Sequence, residues 1–421
     1  MNLSERDQNL IWHPFTQEKT SPPNIAIVRG EGALLFDEEG NEYIDAVSSW
    51  WTNLFGHANP HIANAIKKQV DCLEHVIFAG FTHQPAVELA ENLMKLLPKN
   101  QSKVFFSDNG STSVEVALKM AIQYGYNKGI EKTTIIAFKN AYHGDTFGAM
   151  SVGTRGYFNQ PFESFLFNVE FVDLPSDDNF EAVLAQFQDI IQSKKVAAFI
   201  FEPLIQGSAG MLMYEAKYLA ALIEIAQKSE VICIADEVMT GFCRTGKIFA
   251  TDYLEHKPDI FCLSKGITGG FLPLGVTTST QKIYDAFLSD DKLKTFFHGH
   301  SYTGNPLACA AANASLELLN DASEMITNLV GWQTELSSLL KTNKKIENLR
   351  QLGTIVAFDI KTNTNSDYFN NLRDVLYDNF IRRGVLLRPL GNTVYILPPY
   401  IISKEQLQRV YEVIGEVLEI V

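Results

Sequence analysis

Apolar residues fall in short, mostly unbroken runs through the middle of the chain: Val104 to Phe106, Thr134 to Phe138, Val169 to Val172, Val196 to Phe201, Val231 to Ala235, Ile260 to Leu263 and Gly275 to Thr278. Runs of this length, bounded by turn-forming residues, predict strands buried on both faces. Many are separated by stretches with the spacing of an amphipathic helix, such as Phe180 to Ile191 and Tyr218 to Ala226. That alternation predicts an α/β fold built on a mainly parallel, seven-stranded sheet covered by helices on both sides. Two further helical patterns, Ile62 to Leu73 and Val87 to Leu97, precede it.

The patterning changes toward both ends. From Ile25 to Asp45, apolar and polar residues alternate around Glu38-Glu39-Gly40-Asn41, which predicts a β-hairpin or small meander. After Asn305 come an alanine-rich helix at Leu307 to Leu319, a strand at Thr354 to Ile360 and a helix near Tyr368 to Arg383. Short strands at Val385 to Leu387 and Val394 to Leu397 and a last helix follow. Ser403 and Gln406 form a capping box for that helix, whose apolar face runs Leu407, Val410, Tyr411, Ile414, Val417, Leu418. The expectation is a smaller α+β domain from residues 1–58 and 310–421, sharing a sheet with the N-terminal hairpin region, and a larger α/β domain over 59–309. No repeat or flexible linker separates them, so the two are expected to be fixed against each other.

Near the N-terminus, Trp12 and Phe15 flank Pro14 where most chains are polar, so something is expected to bury them or use them. In Ser48-Ser49-Trp50-Trp51, two adjacent tryptophans cannot share one face of a strand, so one should line a cleft or interface. His57 and His61 have a spacing that can bind metal on a helix, but Pro60 interrupts it, and no metal site is expected.

Charge and composition narrow the functional classes. A net charge of -14 argues against nucleic acid or an anionic membrane as a general partner. No apolar run reaches the roughly 20 residues that a membrane-spanning helix needs. Five scattered cysteines without a CxxC pair suit a reducing compartment, and Met1 to Asn9 is polar and mixed in charge. A cytoplasmic protein is expected.

Chemistry gathers where strands end. Lys265 leaves the run Ile260 to Leu263 through small residues, and Asp236 closes the run beginning at Val231, 29 residues earlier. In one α/β sheet such ends can face a common crevice. An amine and a carboxylate converging there suit pyridoxal phosphate, whose aldehyde a lysine attacks and whose ring nitrogen needs an acidic partner. Gly110 and Ser111 open a predicted helix after Val104 to Phe106, and free amides there suit a phosphate dianion. Tyr142 and Asp145 follow the strand end at Phe138; the aromatic can lie on a pyridine ring while the acid orients neighbours. The loop Phe297 to Asn305 is dense in donors, and Arg388 before Pro389 can hold a carboxylate bidentately. Each residue alone has an ordinary use: Lys265 at the surface, Asp236 as a cap or partner of Arg244, Ser111 or Ser113 as caps, Tyr142 in the core, Arg388 in a salt bridge. It is the set that points to a cofactor pocket.

With those residues in view, nearly the whole chain resembles the class III, fold-type I pyridoxal phosphate aminotransferases. The resemblance is carried by Ile232 to Glu237, Gly241-Phe-Cys-Arg244-Thr-Gly246 and Ser264-Lys265 through Gly269-Gly270. Within the class, Trp12-His-Pro-Phe15-Thr16, Ser48-Ser49-Trp50-Trp51 and Arg388-Pro389 with Leu397-Pro-Pro-Tyr400 resemble members acting in biotin synthesis. The resemblance implies that Lys265 holds the cofactor and shuttles protons, Asp236 pairs with its pyridine nitrogen, Gly110 and Ser111 bind its phosphate, and Tyr142 stacks on it or contacts substrate. It implies that Phe15, Trp50, Asp145, Gly299 and Arg388 surround an oxo acid or an amino donor, with Arg388 on a carboxylate. It also implies a homodimer in which His300 and Ser301 complete the partner's phosphate site. Phe15 stands where a tyrosine is usual, and His300-Ser301 where Pro-Thr is usual; the second change keeps the hydroxyl. The amino donor implied is S-adenosylmethionine, which lysine replaces in some relatives. Two rival readings use the same residues: another ω-aminotransferase of the class, acting on ornithine, aminobutyrate or a polyamine, and a non-catalytic pyridoxal-binding protein.

Overall fold

The computed structural model describes residues 2–156, 158–362 and 372–421. Seven strands form the central sheet in the order Gln101–Ser107, Gly275–Thr280, Ile260–Leu263, Ile232–Asp236, Val196–Phe201, Thr134–Phe138, Glu170–Val172. From Ile260–Leu263 to the Glu170–Val172 edge every neighbouring pair is parallel, while Gly275–Thr280 runs antiparallel to both its neighbours. The runs of apolar residues are thus strands, as expected, and their period-two alternation separates two cores.

One face carries Phe138, Phe199, Phe201 and Phe261 in a single apolar cluster with the rings of Phe187 and Phe249. The other carries the smaller Ala137, Ala198, Ile234 and Cys262. Small residues on that side let the helix Gly110–Asn127 lie close, through Val114, Ala117, Leu118 and Ala121. A sheet buried on both faces in this way has polar groups to spare only at its strand ends.

The N-terminal alternation resolves into three strands, Ile27–Glu31, Leu34–Asp37 and Glu42–Asp45, with Val385–Leu386 added parallel to the last. The expected sharing of a sheet between the two ends of the chain is therefore present. A separate sheet, Ile346–Leu352, Ile355–Ile360 and Thr393–Ile396, holds the rest of the C-terminal strands. The last helix, Lys404–Ile420, is capped by Ser403 and Gln406 and buries the apolar face read from its sequence. Helix Leu372–Ile381 corresponds to the one expected near Tyr368 to Arg383; Tyr368 lies outside the described residues. Helix Pro306–Asn320 runs unbroken through residues 309 and 310 and packs on helices Pro60–Val70 and Gln84–Leu96. No helix among the described residues is long and apolar enough to cross a membrane.

Ser48–Trp51 departs from its expectation. It is not a strand but a tight turn in which all four residues have left-handed φ, and both tryptophans reach the same cavity. The alternation that would part neighbouring side chains does not apply to such a turn. Trp12 also remains exposed at 88% within one chain, whereas Phe15 meets Trp50 edge-on at 5.5 Å between ring centroids.

Candidate active site

Parallel strands direct their carboxyl ends to one side of the sheet, where a crevice forms. Asp236 is the last residue of its strand and pairs in register with Cys262, so Lys265 lies three residues past the matching position on the adjacent strand. Glu202 immediately follows Val196–Phe201, Tyr142 and His143 follow Thr134–Phe138, and Asn109 and Gly110 follow Gln101–Ser107. All of these line a single cavity of about 700 Å³ together with Phe15, Trp50, Trp51 and Arg388 from the terminal segments.

Lys265 has φ 45° at the start of a 3₁₀ turn, and its Nζ stands 4.4 Å from the Trp51 ring centre. Burial pushes its ammonium down to about 8; the anions Asp236 and Glu202 oppose that shift and Arg244 adds to it. An amine held near neutrality in this way is a nucleophile and a proton carrier.

Asp236 does not pair with Arg244, the ordinary use open to it. Its Oδ2 meets His143 Nδ1 at 2.7 Å, and its Oδ1 accepts the Val238 amide at 3.1 Å. Arg244 is fully buried and instead donates to the carbonyls of Pro398, Trp51 and Asn53. Glu202 accepts the amides of Tyr142 and Gly207 at 3.0 and 2.9 Å. Burial raises its carboxyl to about 7, with nearby Asp236 adding to the shift and His143 opposing it.

The helix Gly110–Asn127 starts at the cavity wall. Its N-cap is Asn109, whose side chain accepts the Thr112 amide at 3.0 Å, rather than Ser111 or Ser113. That leaves the first amides, at Gly110 and Ser111, without intrahelical acceptors and at the positive end of 18 residues of aligned dipoles. Ser111 Oγ accepts the Asp145 amide at 2.9 Å, and Tyr142 donates its hydroxyl to Asp145 at 2.8 Å. Gly144, with φ 128°, permits this closeness: a Cβ there would stand 1.9 Å from Ser111 Oγ. Arg388 lays its guanidinium 4.7 Å from the Trp50 ring centre and makes no ion pair among the described residues.

Nine of the residues singled out in the sequence meet here: Phe15, Trp50, Gly110, Ser111, Tyr142, Asp145, Asp236, Lys265 and Arg388. Gly299, His300 and Ser301 do not line the cavity; Gly299 and Ser301 are exposed on the loop between Phe297 and Gly304. Sequence reasoning passed over His143 and Glu202, and of the two adjacent tryptophans it gave a site role to Trp50 alone, whereas Trp51 lines the cavity too. Glu202 carried the same signal as Asp236, a carboxylate directly after an apolar run, and His143 stood between two chosen residues.

Unpaired helix amides for a dianion, an acid for a ring nitrogen and a buried amine form a donor set that fits pyridoxal phosphate. Residues 15–418 match the family model described as aminotransferase class-III. A Synechococcus elongatus protein described as adenosylmethionine-8-amino-7-oxononanoate aminotransferase is 48% identical over 417 residues, covering 97% of this chain and 98% of that one. The crystal structure of the Methanocaldococcus jannaschii protein of that description is similar with a TM-score of 0.91 at 37% identity, over 98% of each chain. A PLP-bound amine transaminase from an uncultivated Pseudomonas species gives a TM-score of 0.89 at 29% identity, over 97% of this chain and 98% of that one.

Proposed function

The chain belongs to the class III aminotransferases, pyridoxal phosphate enzymes, and from that premise we propose that it transfers an amino group to 8-amino-7-oxononanoate, giving 7,8-diaminononanoate in biotin biosynthesis, with S-adenosylmethionine as donor. The observation that carries this reading is the meeting, in one cavity, of the Lys265 amine, the Asp236 carboxylate and an Arg388 guanidinium that has no acidic partner among the described residues. The near-full-length similarity to proteins of that description supports it.

In this reading Lys265 holds the cofactor and, once released, moves the proton, because burial leaves its amine free of charge at mildly alkaline pH. Asp236, oriented by His143, would hold the protonated ring nitrogen, and Gly110 and Ser111 would hold the phosphate. Pyridoxal phosphate, when bound, supplies an electron sink for the carbon that loses the proton. Arg388 takes the nonanoate carboxylate in two parallel hydrogen bonds, and Trp50 and Phe15 cover the methylene chain. Tyr142 and Asp145 act as a pair at the substrate side, joined by their hydrogen bond.

The same reading makes the chain a homodimer. Trp12, Phe165 and Phe297, 88%, 76% and 71% exposed, would be covered in part by the partner, and the loop carrying Gly299, His300 and Ser301 would complete the partner's cavity.

Half-reactions followed by absorbance of the bound cofactor test the assignment. S-adenosylmethionine should convert the cofactor to its aminated form, and 8-amino-7-oxononanoate should convert it back. Indifference to 8-amino-7-oxononanoate with response to ornithine, aminobutyrate or a polyamine would transfer the assignment to another member of the class.

A further inference from the structure

Ser48, Ser49, Trp50 and Trp51 have φ of 51°, 45°, 72° and 73°, four consecutive left-handed residues with no glycine among them. Left-handed backbone is unfavourable for an L-residue, so such a turn must be held from outside. Three amide bonds inside the segment, Trp51 to Val47, Thr52 to Ser48 and Asn53 to Ser48, close it at 2.9 to 3.0 Å without explaining its hand.

The outside hold is Asp45. Its carboxylate is fully buried, and both oxygens are occupied by the turn or by its neighbour. Oδ1 accepts the amides of Val47 at 3.2 Å and Ser49 at 3.0 Å; Oδ2 accepts Ser49 Oγ at 2.8 Å and lies 2.9 Å from His57 Nε2. His57 is itself wedged against Gly30, where a Cβ would stand 2.7 Å from the His57 Cβ. From the far end Arg244 holds the carbonyls of Trp51 and Asn53.

The turn delivers two indoles to two different tasks. Trp51 covers the Lys265 amine and rests against Gly207, where a Cβ would come within 3.2 Å of its ring. Trp50 backs the Arg388 guanidinium. Neither Asp45 nor His57 lines the cavity. We propose that Asp45 is a positioning residue for the active site: through one left-handed turn it sets both the indole that covers Lys265 and the indole that backs Arg388. The inference rests on the roles given above to Lys265 and Arg388, but its first readout involves no substrate.

That readout is the pH dependence of Lys265 labelling by an amine reagent in the cofactor-free protein; the second is the KM for 8-amino-7-oxononanoate in the loaded enzyme. Asparagine at 45 retains an acceptor for the two amides and can donate to Ser49 Oγ and to neutral His57, so Asp45→Asn should leave both readouts near wild type. Asp45→Ala removes every contact. It should raise the labelling midpoint by about one pH unit, as the amine is rehydrated, and raise KM about tenfold, as Arg388 loses its backing. Adding Ser49→Gly to Asp45→Ala should restore part of both, because glycine accepts the left-handed backbone at little cost. Should Asp45→Ala fail to fold, Ser49→Ala, which deletes one of the four contacts, should move both readouts the same way by less. The proposal is overturned if Asp45→Ala, or Ser49→Ala in its place, leaves both readouts unchanged, or if Asp45→Asn is as damaged as Asp45→Ala. A shifted midpoint with an unresponsive oxo acid would count against the substrate assignment and leave the role of Asp45 standing.

Discussion

Residue by residue, the charges around Lys265 make its behaviour calculable in sign. Burial is the largest effect and lowers the ammonium; Asp236 and then Glu202 raise it, and Arg244 lowers it. In the cofactor-free protein the lysine should react with amine reagents with a midpoint of about 8, against about 10.4 for a solvated lysine. Asp236→Asn and Glu202→Gln should each move that midpoint down, since a stabilising anion is lost, and a titration of labelling rate against pH reads the shift. Lys265→Ala should abolish covalent retention of the cofactor, visible in its absorbance, and lower kcat by about 10³-fold or more. Arg388→Ala should raise KM for the oxo acid roughly 10- to 100-fold with a smaller change in kcat, read from steady-state kinetics, as expected for a charge-assisted pair made in the ground state. Lys265 and Asp236 were legible in the sequence because a charged group at or just past the end of an apolar run has few places to go except the crevice. Glu202 obeyed the same rule and was overlooked, and His143 declares itself only when its imidazole is seen 2.7 Å from Asp236.

At the scale of elements, strands were easier to read than the turns that make the chemistry possible. Double burial leaves an unmistakable record in runs such as Val196–Phe201, where all six residues are buried. The cap of the helix Gly110–Asn127 was open in the sequence, where Ser111 or Ser113 were the ordinary alternatives; asparagine and serine are nearly equal as caps and only geometry chooses Asn109. Ser48–Trp51 was unreadable for a deeper reason: serine and tryptophan carry no left-handed preference, and the hand is imposed by Asp45 and Arg244 from either side. The contact between Gly144 and Ser111 gives a test at this level. Gly144→Ala places a methyl where Ser111 Oγ now lies, in a backbone region that alanine rarely adopts, and should weaken cofactor binding by about tenfold or more. Equilibrium titration with pyridoxal phosphate checks it, with far-UV circular dichroism showing that the fold is retained.

Across the whole molecule, the sheet and its covering helices were foreseeable from alternation alone, whereas the meeting of the two ends of the chain was visible only as a matching style of pattern. Val385–Leu386 beside Glu42–Asp45 joins segments more than 300 residues apart, a pairing that no local signal encodes. The dimer reading belongs to this scale: sedimentation should give twice the 47.1 kDa of one chain, and Ser301→Ala should weaken cofactor binding although Ser301 lies outside its own chain's cavity. The cavity wall draws on residues from Phe15 to Tyr395, nearly the full span of the chain. A ribosome adding about 5–20 residues per second makes Tyr395 well after the Lys265 strand. Nascent chains arrested short of that point would have the Lys265 strand but an unfinished pocket, so vitamin capture should be the closing event of biogenesis rather than a nucleus for it.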